Sequence, residues 1–178
     1  MPSPQTTSAM RCPDRALAAL RIVVGCWFFK SIFTKIGIVF AFGFLPLPGA
    51  SGRWIATMPK LLAKYAADNP IAWYKSFLLD TVVANPVPFA HLTALGEVAI
   101  GTCLLFGFFT PVGAALGIVQ VLFYGFAVQQ QSPGQQGFHV MLLAMMIAFL
   151  IARAGRTWGV DRWLRARYPD SKWVRSLT

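Results

Sequence analysis

Charged side chains are scarce in this sequence. Asp, Glu, Lys and Arg make up 12% of its 178 residues, about half the share of an ordinary soluble domain, whereas 56% of the residues are hydrophobic. So few charges do not cover the surface of a 19.6 kDa globule. Disordered, collagen-like and coiled-coil chains have other compositions. The sequence therefore predicts an integral membrane protein.

Acidic residues are rarer than basic ones, which leaves a formal net charge of +10. In a soluble chain this charge would suggest nucleic-acid binding, but here the basic residues flank the apolar runs. They are Arg11, Arg15 and Arg21 near the start, and Arg153, Arg156, Arg162, Arg165, Arg167, Lys172 and Arg175 near the end. This placement is typical of helix ends that face anionic lipid, and it argues against a nucleic-acid partner.

Clustered metal ligands and nucleotide-binding motifs are also missing. The three cysteines form no CxxC pair, so the sequence predicts no zinc or iron–sulfur site and no other metal centre. It contains no Ser/His/Asp set, no P-loop and no dinucleotide fingerprint. The chain therefore has few of the motifs with which enzymes carry out chemistry unaided.

Four apolar segments are long enough to cross a bilayer as helices, which takes about 20 residues. They cover roughly residues 17–40, 89–109, 111–128 and 138–152. The first run is too long for the apolar core of a secretory signal, so we interpret it as a retained helix. The predicted fold is all-α, a membrane-embedded four-helix bundle that forms a single domain over residues 1–178.

Two further regions predict helices in the membrane interface. The loop of about residues 45–87 is long and aromatic, and within it Ile55–Ala67 and Ile71–Val83 mix apolar and polar residues. Asn–Pro pairs follow each segment, so we expect two short interfacial helices there. The basic tail, residues 153–178, alternates Trp with Arg and Lys and predicts a third.

The distribution of Lys and Arg predicts the orientation of the bundle. The two termini carry the ten basic residues named above, whereas the long first loop carries four. Because cytoplasmic segments are enriched in Lys and Arg, both termini are expected in the cytoplasm, with residues 45–87 and 129–137 outside. The prediction is a multi-pass protein of a bacterial or archaeal cell (inner) membrane.

Two ionisable residues are predicted near the middle of the bilayer. Lys30 lies on the first helix, and Glu97, the only Glu of the chain, lies on the second. Buried charges in a membrane pair with each other or face a polar cavity, so we expect a Lys30–Glu97 pair. That pair would either handle protons or only fix the register of the helices. Lys35, closer to the outer end, is expected to snorkel.

Two histidines, His91 and His139, are predicted just inside the outer ends of the second and fourth helices. With Gln136 and Tyr124 they are our candidate quinone mouth, an apolar slot with a few polar groups that orient a head group. Haem would need the two rings to face each other, and no further motif supports it. The alternative is a pair of hydrated interfacial histidines without a ligand.

The order of several short motifs resembles the DoxX/DoxD family of small four-helix membrane proteins. They are Thr34–Gly37, Asn69–Pro70, Gly96–Glu97 through Gly101, Leu105–Thr110 and Ala154–Leu164, within residues 16–165. The long first loop is more similar to the DoxD-type branch, the membrane subunit of thiosulfate:quinone oxidoreductase. This resemblance implies a four-helix fold, a quinone-linked redox role and a second protein chain as partner.

The resemblance also singles out individual positions. It implies Glu97, Lys35 and Asp161 as motif residues, without assigning a role to any of them. His139 is a departure, because the fourth helix of relatives often begins with Asn or another small polar residue.

Two functions are compatible with these observations. The first is the membrane subunit of a quinone-linked oxidoreductase with a sulfur donor, in which Glu97 and Lys30 manage protons while His91 and His139 shape quinone access. The second is a non-catalytic accessory or assembly subunit of a larger respiratory or photosynthetic complex, with the charge pair as a structural clamp. The missing cofactor motifs favour the second function, and the resemblance favours the first.

Overall fold

The computed structural model describes residues 12–41 and 44–178, and long helices dominate it. In chain order the elements are α1 (Cys12–Phe29), α2 (Ser31–Thr34), β1 (Ile36–Ala41), β2 (Leu45–Ala50), α3 (Gly52–Ala67), α4 (Ala72–Ser76), a π-helical segment (Phe77–Val83), α5 (Pro86–Phe106), α6 (Thr110–Val128), α7 (Pro133–Ala152), a 3-10 turn (Ala154–Arg156), α8 (Val160–Arg167) and α9 (Lys172–Leu177). Within the described residues, four helical segments are long and apolar enough to cross a membrane: Pro13–Thr34, Pro86–Phe106, Thr110–Val128 and Pro133–Ala152. The predicted all-α architecture of a multi-pass membrane protein is confirmed.

The four long helices pack in sequence, α1 on α5, α5 on α6 and α6 on α7. The backbones of α1 and α5 come very close at two glycines. A Cβ on Gly25 would lie 2.4 Å from Leu105 N, and one on Gly101 would lie 2.4 Å from Phe29 N. Small residues allow this approach, which gives membrane helices most of their packing energy. The contact holds the end of the first span beside the middle of α5.

The first membrane helix is shorter than the predicted residues 17–40. It ends at Thr34, and Ile36–Ala41 forms β1, which pairs antiparallel with β2 so that Ile36 lies opposite Ala50. The sequence Ile-Gly-Ile-Val-Phe at the start of β1 is rich in β-branched and aromatic side chains, which favour strands. A short apolar run does not distinguish a helix from a strand, and this is why the prediction was wrong here.

The fourth membrane helix starts earlier than the predicted residue 138. Ser132 caps it, because the Ser132 hydroxyl accepts a hydrogen bond from the backbone N–H of Gln135 at 3.2 Å. Pro133 then occupies the first turn, where its fixed φ and missing N–H are tolerated. Residues 133–137, the second half of the segment that we placed outside the helix, are therefore the first turns of α7, whereas residues 129–132 do connect the two helices.

The long first loop contains the two predicted helices and folds onto the bundle. The segments predicted at residues 55–67 and 71–83 are observed as α3 and as α4 with the π-helical segment. Met58, Tyr74 and Leu78 from this loop are buried in a second core with Ala90 and Ala94 of α5. The loop thus covers the end of the bundle where α5 begins and α6 finishes.

Hydrogen bonds to α6 fasten this loop. The Tyr74 hydroxyl donates to the backbone oxygen of Phe123 at 2.6 Å, and Asn69 Nδ2 donates to that of Phe126 at 2.7 Å. Burial raises the pKa of Tyr74 to about 12, so its hydroxyl remains a donor at neutral pH. The loop is therefore a fixed wall of the structure on the side that it covers.

The tail folds back onto the turn between α5 and α6. Asp161 is fully buried, and its carboxylate accepts from the backbone N–H of Phe109 at 2.7 Å and of Thr110 at 3.0 Å. It therefore caps the positive end of α6 from a distant part of the chain. The fully buried Arg21 donates to the backbone oxygen of Trp158 at 3.0 Å and lies within electrostatic range of Asp161. We call Arg21, Asp161 and the turn they hold the tail clasp.

The tail clasp has no spare room. A Cβ on Gly155 would lie 2.1 Å from Asp161 Oδ2 and equally close to Thr110 Oγ1. Gly107, in the clasped turn, has a φ of +62°, a left-handed conformation that glycine adopts without strain. The Ala154–Leu164 motif noted in the sequence thus contributes Asp161, the residue that joins the tail to the bundle.

We expect both termini of the chain to face the cytoplasm, and cysteine labelling tests this. Of the ten basic residues on which the expectation rests, Arg11 lies outside the described residues. In a variant without its native cysteines, an impermeant thiol reagent on intact cells should label Gly52→Cys but leave Asp170→Cys unlabelled until the membrane is permeabilised. Both positions are exposed, and Gly52 has open space around it. Labelling of Asp170→Cys alone on intact cells would reverse the orientation.

Candidate functional site

A cavity of about 420 Å³ lies between the loop helices and the bundle. Residues of α3, the π-helical segment, α5 and α6 line it, and most of its wall is apolar. Leu92, Leu116 and Val119 belong to this wall and are also exposed on the surface of the protein. The volume is typical of sites for small ligands, about 300–1,000 Å³. Because these exposed apolar side chains lie on α5 and α6, which are long enough to cross a membrane, we expect this side of the cavity to face lipid.

The lining includes two polar side chains, Lys35 and Tyr124, that both contact the buried carboxylate of Glu97. Glu97 itself is not among the lining residues. Lys35 Nζ lies 2.7 Å from Glu97 Oε1, and the Tyr124 hydroxyl donates to the same oxygen at 2.6 Å. The Ser31 hydroxyl donates to Oε2. Three donors, one of which carries a positive charge, thus compensate for the burial of the carboxylate, as a membrane interior requires. We call Lys35, Glu97, Tyr124 and Ser31 the polar end.

A second layer of contacts holds the polar end in position. Gln120 Nε2 donates to the Tyr124 hydroxyl at 2.9 Å and to the backbone oxygen of Thr93 at 3.2 Å. Trp54 Nε1 donates to Thr93 Oγ1 at 3.2 Å, and Lys35 Nζ lies 4.3 Å from the centre of the Trp54 ring. A cation over an aromatic face is attracted to it. Residues of the loop, α5 and α6 therefore fix the lysine jointly.

The predicted Lys30–Glu97 pair is wrong, because Lys35 takes the place of Lys30. Lys30 Nζ lies 3.1 Å from the centre of the Trp27 ring, and the Lys30 side chain is exposed. Five residues correspond to about 140° around a helix, so the two lysines cannot share a face. The first span ends at Thr34, and Lys35 then turns back towards α5. Lys35 does not snorkel to the surface but pairs with the carboxylate.

The four residues of the predicted quinone mouth fall into two groups. Tyr124 and His139 line the cavity. His91 is not part of the lining and instead packs against β2, where a Cβ on Gly49 would lie 2.9 Å from His91 Nε2. Gln136 is exposed and donates to a nearby backbone carbonyl at 2.5 Å. The cavity therefore keeps half of the predicted set.

Sequence reasoning missed Ser31 and Trp54. Ser31 directly follows Lys30, and the 100° between neighbours on a helix turns it towards Glu97. Trp54 lies on a loop helix, where no membrane periodicity predicts which side chain reaches the bundle. Thr93 and Gln120, in contrast, were recognisable, since each lies one helical turn before Glu97 or Tyr124 on the same face.

Within residues 12–41 and 44–178, no group of three or more His, Cys, Asp or Glu side chains could hold a metal ion. The cavity wall and the polar end offer a ligand hydrogen-bond donors, hydrogen-bond acceptors and the Lys35–Glu97 ion pair.

Comparison with known proteins gives one family match. A protein-family model described as DoxX matches residues 16–130, well over half of the chain. The matched region contains all four residues of the polar end, whereas His139 and the Asp161 side of the tail clasp lie beyond it. No curated protein and no solved structure matches the chain.

Proposed function

Since the chain belongs to the DoxX family of membrane proteins, we propose that it is the quinone-binding membrane subunit of a redox complex. The observation that carries this proposal is an apolar cavity that opens towards lipid and ends at a charged cluster. A quinone has a polar ring and an apolar tail, and such a molecule needs one polar end and one apolar wall. A purely structural subunit would need neither.

Reduction of a quinone to a quinol takes two electrons and two protons. In the proposed function Lys35 donates a hydrogen bond to a ring oxygen. The two protons enter from the aqueous phase by way of Glu97, Tyr124 and Lys35, and these groups then return to their starting protonation states. The electrons come from a second protein chain that oxidises a reduced sulfur compound such as thiosulfate. The resemblance of the long first loop to the DoxD-type branch supports this choice of donor.

Filling the cavity tests the proposal. Val119 lines the cavity and Leu122 does not, although both are exposed on α6. We expect Val119→Trp to lower the quinone retained by the complex, purified with its native partners, by about tenfold, because the indole occupies the space of the ring. Leu122→Trp should retain quinone like the unmodified protein.

The readout is quinone extracted per mole of purified protein, together with cross-linking to a photoreactive quinone analogue. Cross-links within α5 and α6 that disappear in Val119→Trp would support the site. Equal retention in the two variants would remove the cavity from quinone binding.

A further inference from the structure

Most polar groups of the cavity wall already have hydrogen-bond partners within the protein. The Tyr124 hydroxyl donates to Glu97 and accepts from Gln120, and Gln120 Nε2 also donates to the backbone oxygen of Thr93. Trp54 Nε1 donates to Thr93 Oγ1. Because these groups are hydrogen-bonded to one another, only a few polar atoms of the wall remain available to bind a ligand.

Two of the positions that stay open are acceptors. Gln120 Nε2 donates to a carbonyl oxygen, which only accepts, so Gln120 Oε1 is the free atom of that amide. His139 Nδ1 lies 2.8 Å from the backbone oxygen of Gln135, so Nδ1 carries the hydrogen. In the neutral ring, His139 Nε2 therefore has a lone pair and no hydrogen. Neither atom makes a hydrogen bond within the described residues.

The remaining charged position is a donor. The Lys35 ammonium has three hydrogens, of which one is directed at Glu97 Oε1. Its contact with the Trp54 ring occupies a second direction, which leaves a hydrogen for a ligand oxygen. A ligand that satisfies this wall must both accept from Lys35 and donate to an acceptor.

We infer that the cavity binds the reduced quinol in preference to the oxidised quinone. This inference rests on the proposed function and adds the redox state that the site selects. The ring oxygens of a quinone only accept, so they leave Gln120 Oε1 and His139 Nε2 without a partner. Each quinol hydroxyl donates one hydrogen bond and can accept another, so the two hydroxyls together can serve Gln120 Oε1, His139 Nε2 and Lys35.

This preference has a consequence for electron transfer. Tighter binding of the quinol raises the reduction potential of the bound couple, so a bound quinone becomes a stronger oxidant for the partner chain. A tenfold preference corresponds to about 30 mV for a two-electron couple. Gln120 and His139 are only partly buried, so water can replace part of a lost hydrogen bond. We therefore expect a preference for quinol over quinone of about tenfold, rather than the far larger values of fully buried sites.

Binding to the purified complex with its native partners, under anaerobic conditions, tests the inference. The probes are decylubiquinol, its oxidised quinone, and the dimethyl ether of the quinol, which keeps the ring but has no hydroxyl to donate. We expect the quinol to bind about tenfold more tightly than the other two probes. His139→Phe should reduce this preference to about threefold or less, because the quinol then loses an acceptor that the quinone never used. His91→Phe, outside the cavity lining, should leave the preference as it is.

The outcomes separate the two proposals. If none of the probes binds, the proposed function fails and this inference with it. If quinol and quinone bind equally, or if the dimethyl ether binds as tightly as the quinol, the inference is overturned while the quinone site stands. A preference that His139→Phe and Gln120→Met both leave intact would also overturn it.

Discussion

Asp161→Asn should lower the free energy of unfolding by about 3–5 kcal/mol, the cost of leaving a buried charge without its partner. Asp161 caps two backbone N–H groups at the start of α6 and lies within electrostatic range of the buried Arg21. Two guanidinium nitrogens of Arg21, Nε and Nη1, have no hydrogen-bond partner among the described residues. The Arg21 charge is therefore compensated by the nearby carboxylate and by the hydrogen bonds from Nη2 to the backbone oxygens of Thr157 and Trp158.

The measurement is thermal unfolding of the purified protein in detergent. Asp170→Asn is the matched control, because Asp170 is exposed on the same tail and should be neutral. Adding Arg21→Met to Asp161→Asn should recover part of the lost stability, since the unpaired charge is then gone. If Asp161→Asn and Asp170→Asn unfold alike, the tail clasp does not stabilise the bundle.

Glu97→Gln and Lys35→Met should each destabilise the protein by about 3 kcal/mol. The Glu97 side chain is 7% exposed and that of Lys35 is 19% exposed, so each variant leaves a largely buried group without its partner. Because both variants break the same pair, the double variant should lose less than the sum, by about 1–3 kcal/mol. The expected loss of about 3 kcal/mol per single variant is near the low end of the range for buried ion pairs, since Lys35 retains some exposure at the surface.

Lys30 supplies the control for this cycle. Its ammonium lies over Trp27 on another face of the first helix, so Lys30→Met combined with Glu97→Gln should be additive. The three variants and their pairs are compared by the same unfolding measurement in one detergent. Coupling of Glu97 to Lys30 instead of Lys35 would contradict the arrangement described above.

Composition and apolar run length were enough to predict the membrane architecture. The predicted segments of residues 89–109 and 111–128 are within three residues of α5 and α6 at every boundary. A bilayer forces each crossing segment to satisfy its backbone hydrogen bonds internally. The existence of such a helix is therefore a local property, and local properties can be predicted from a single sequence.

Two helix boundaries were predicted wrongly, and both lie where the chain no longer has to satisfy its backbone hydrogen bonds within one helix. Beyond Thr34 the apolar run continues, but the backbone finds its hydrogen bonds in a partner strand, Leu45–Ala50, rather than in its own helix. At the start of the fourth helix, the Ser132–Pro133 pair was a readable start signal that the polar glutamines masked. The end of the first helix was missed because it depends on pairing with a separate strand. The start of α7 was missed because the polar glutamines were given more weight than the Ser–Pro start signal.

Sequence alone determined that this is a membrane protein of four long helices, and that Glu97 is the acidic residue buried among them. Tertiary structure decided that Lys35 and not Lys30 is its partner, that Trp54 reaches the bundle from the loop, and that His139 lines the cavity while His91 does not. The depth of a residue in the bilayer follows from counting along the chain. The direction of a side chain around a helix, and the segment that meets it there, depend on how all the helices pack together.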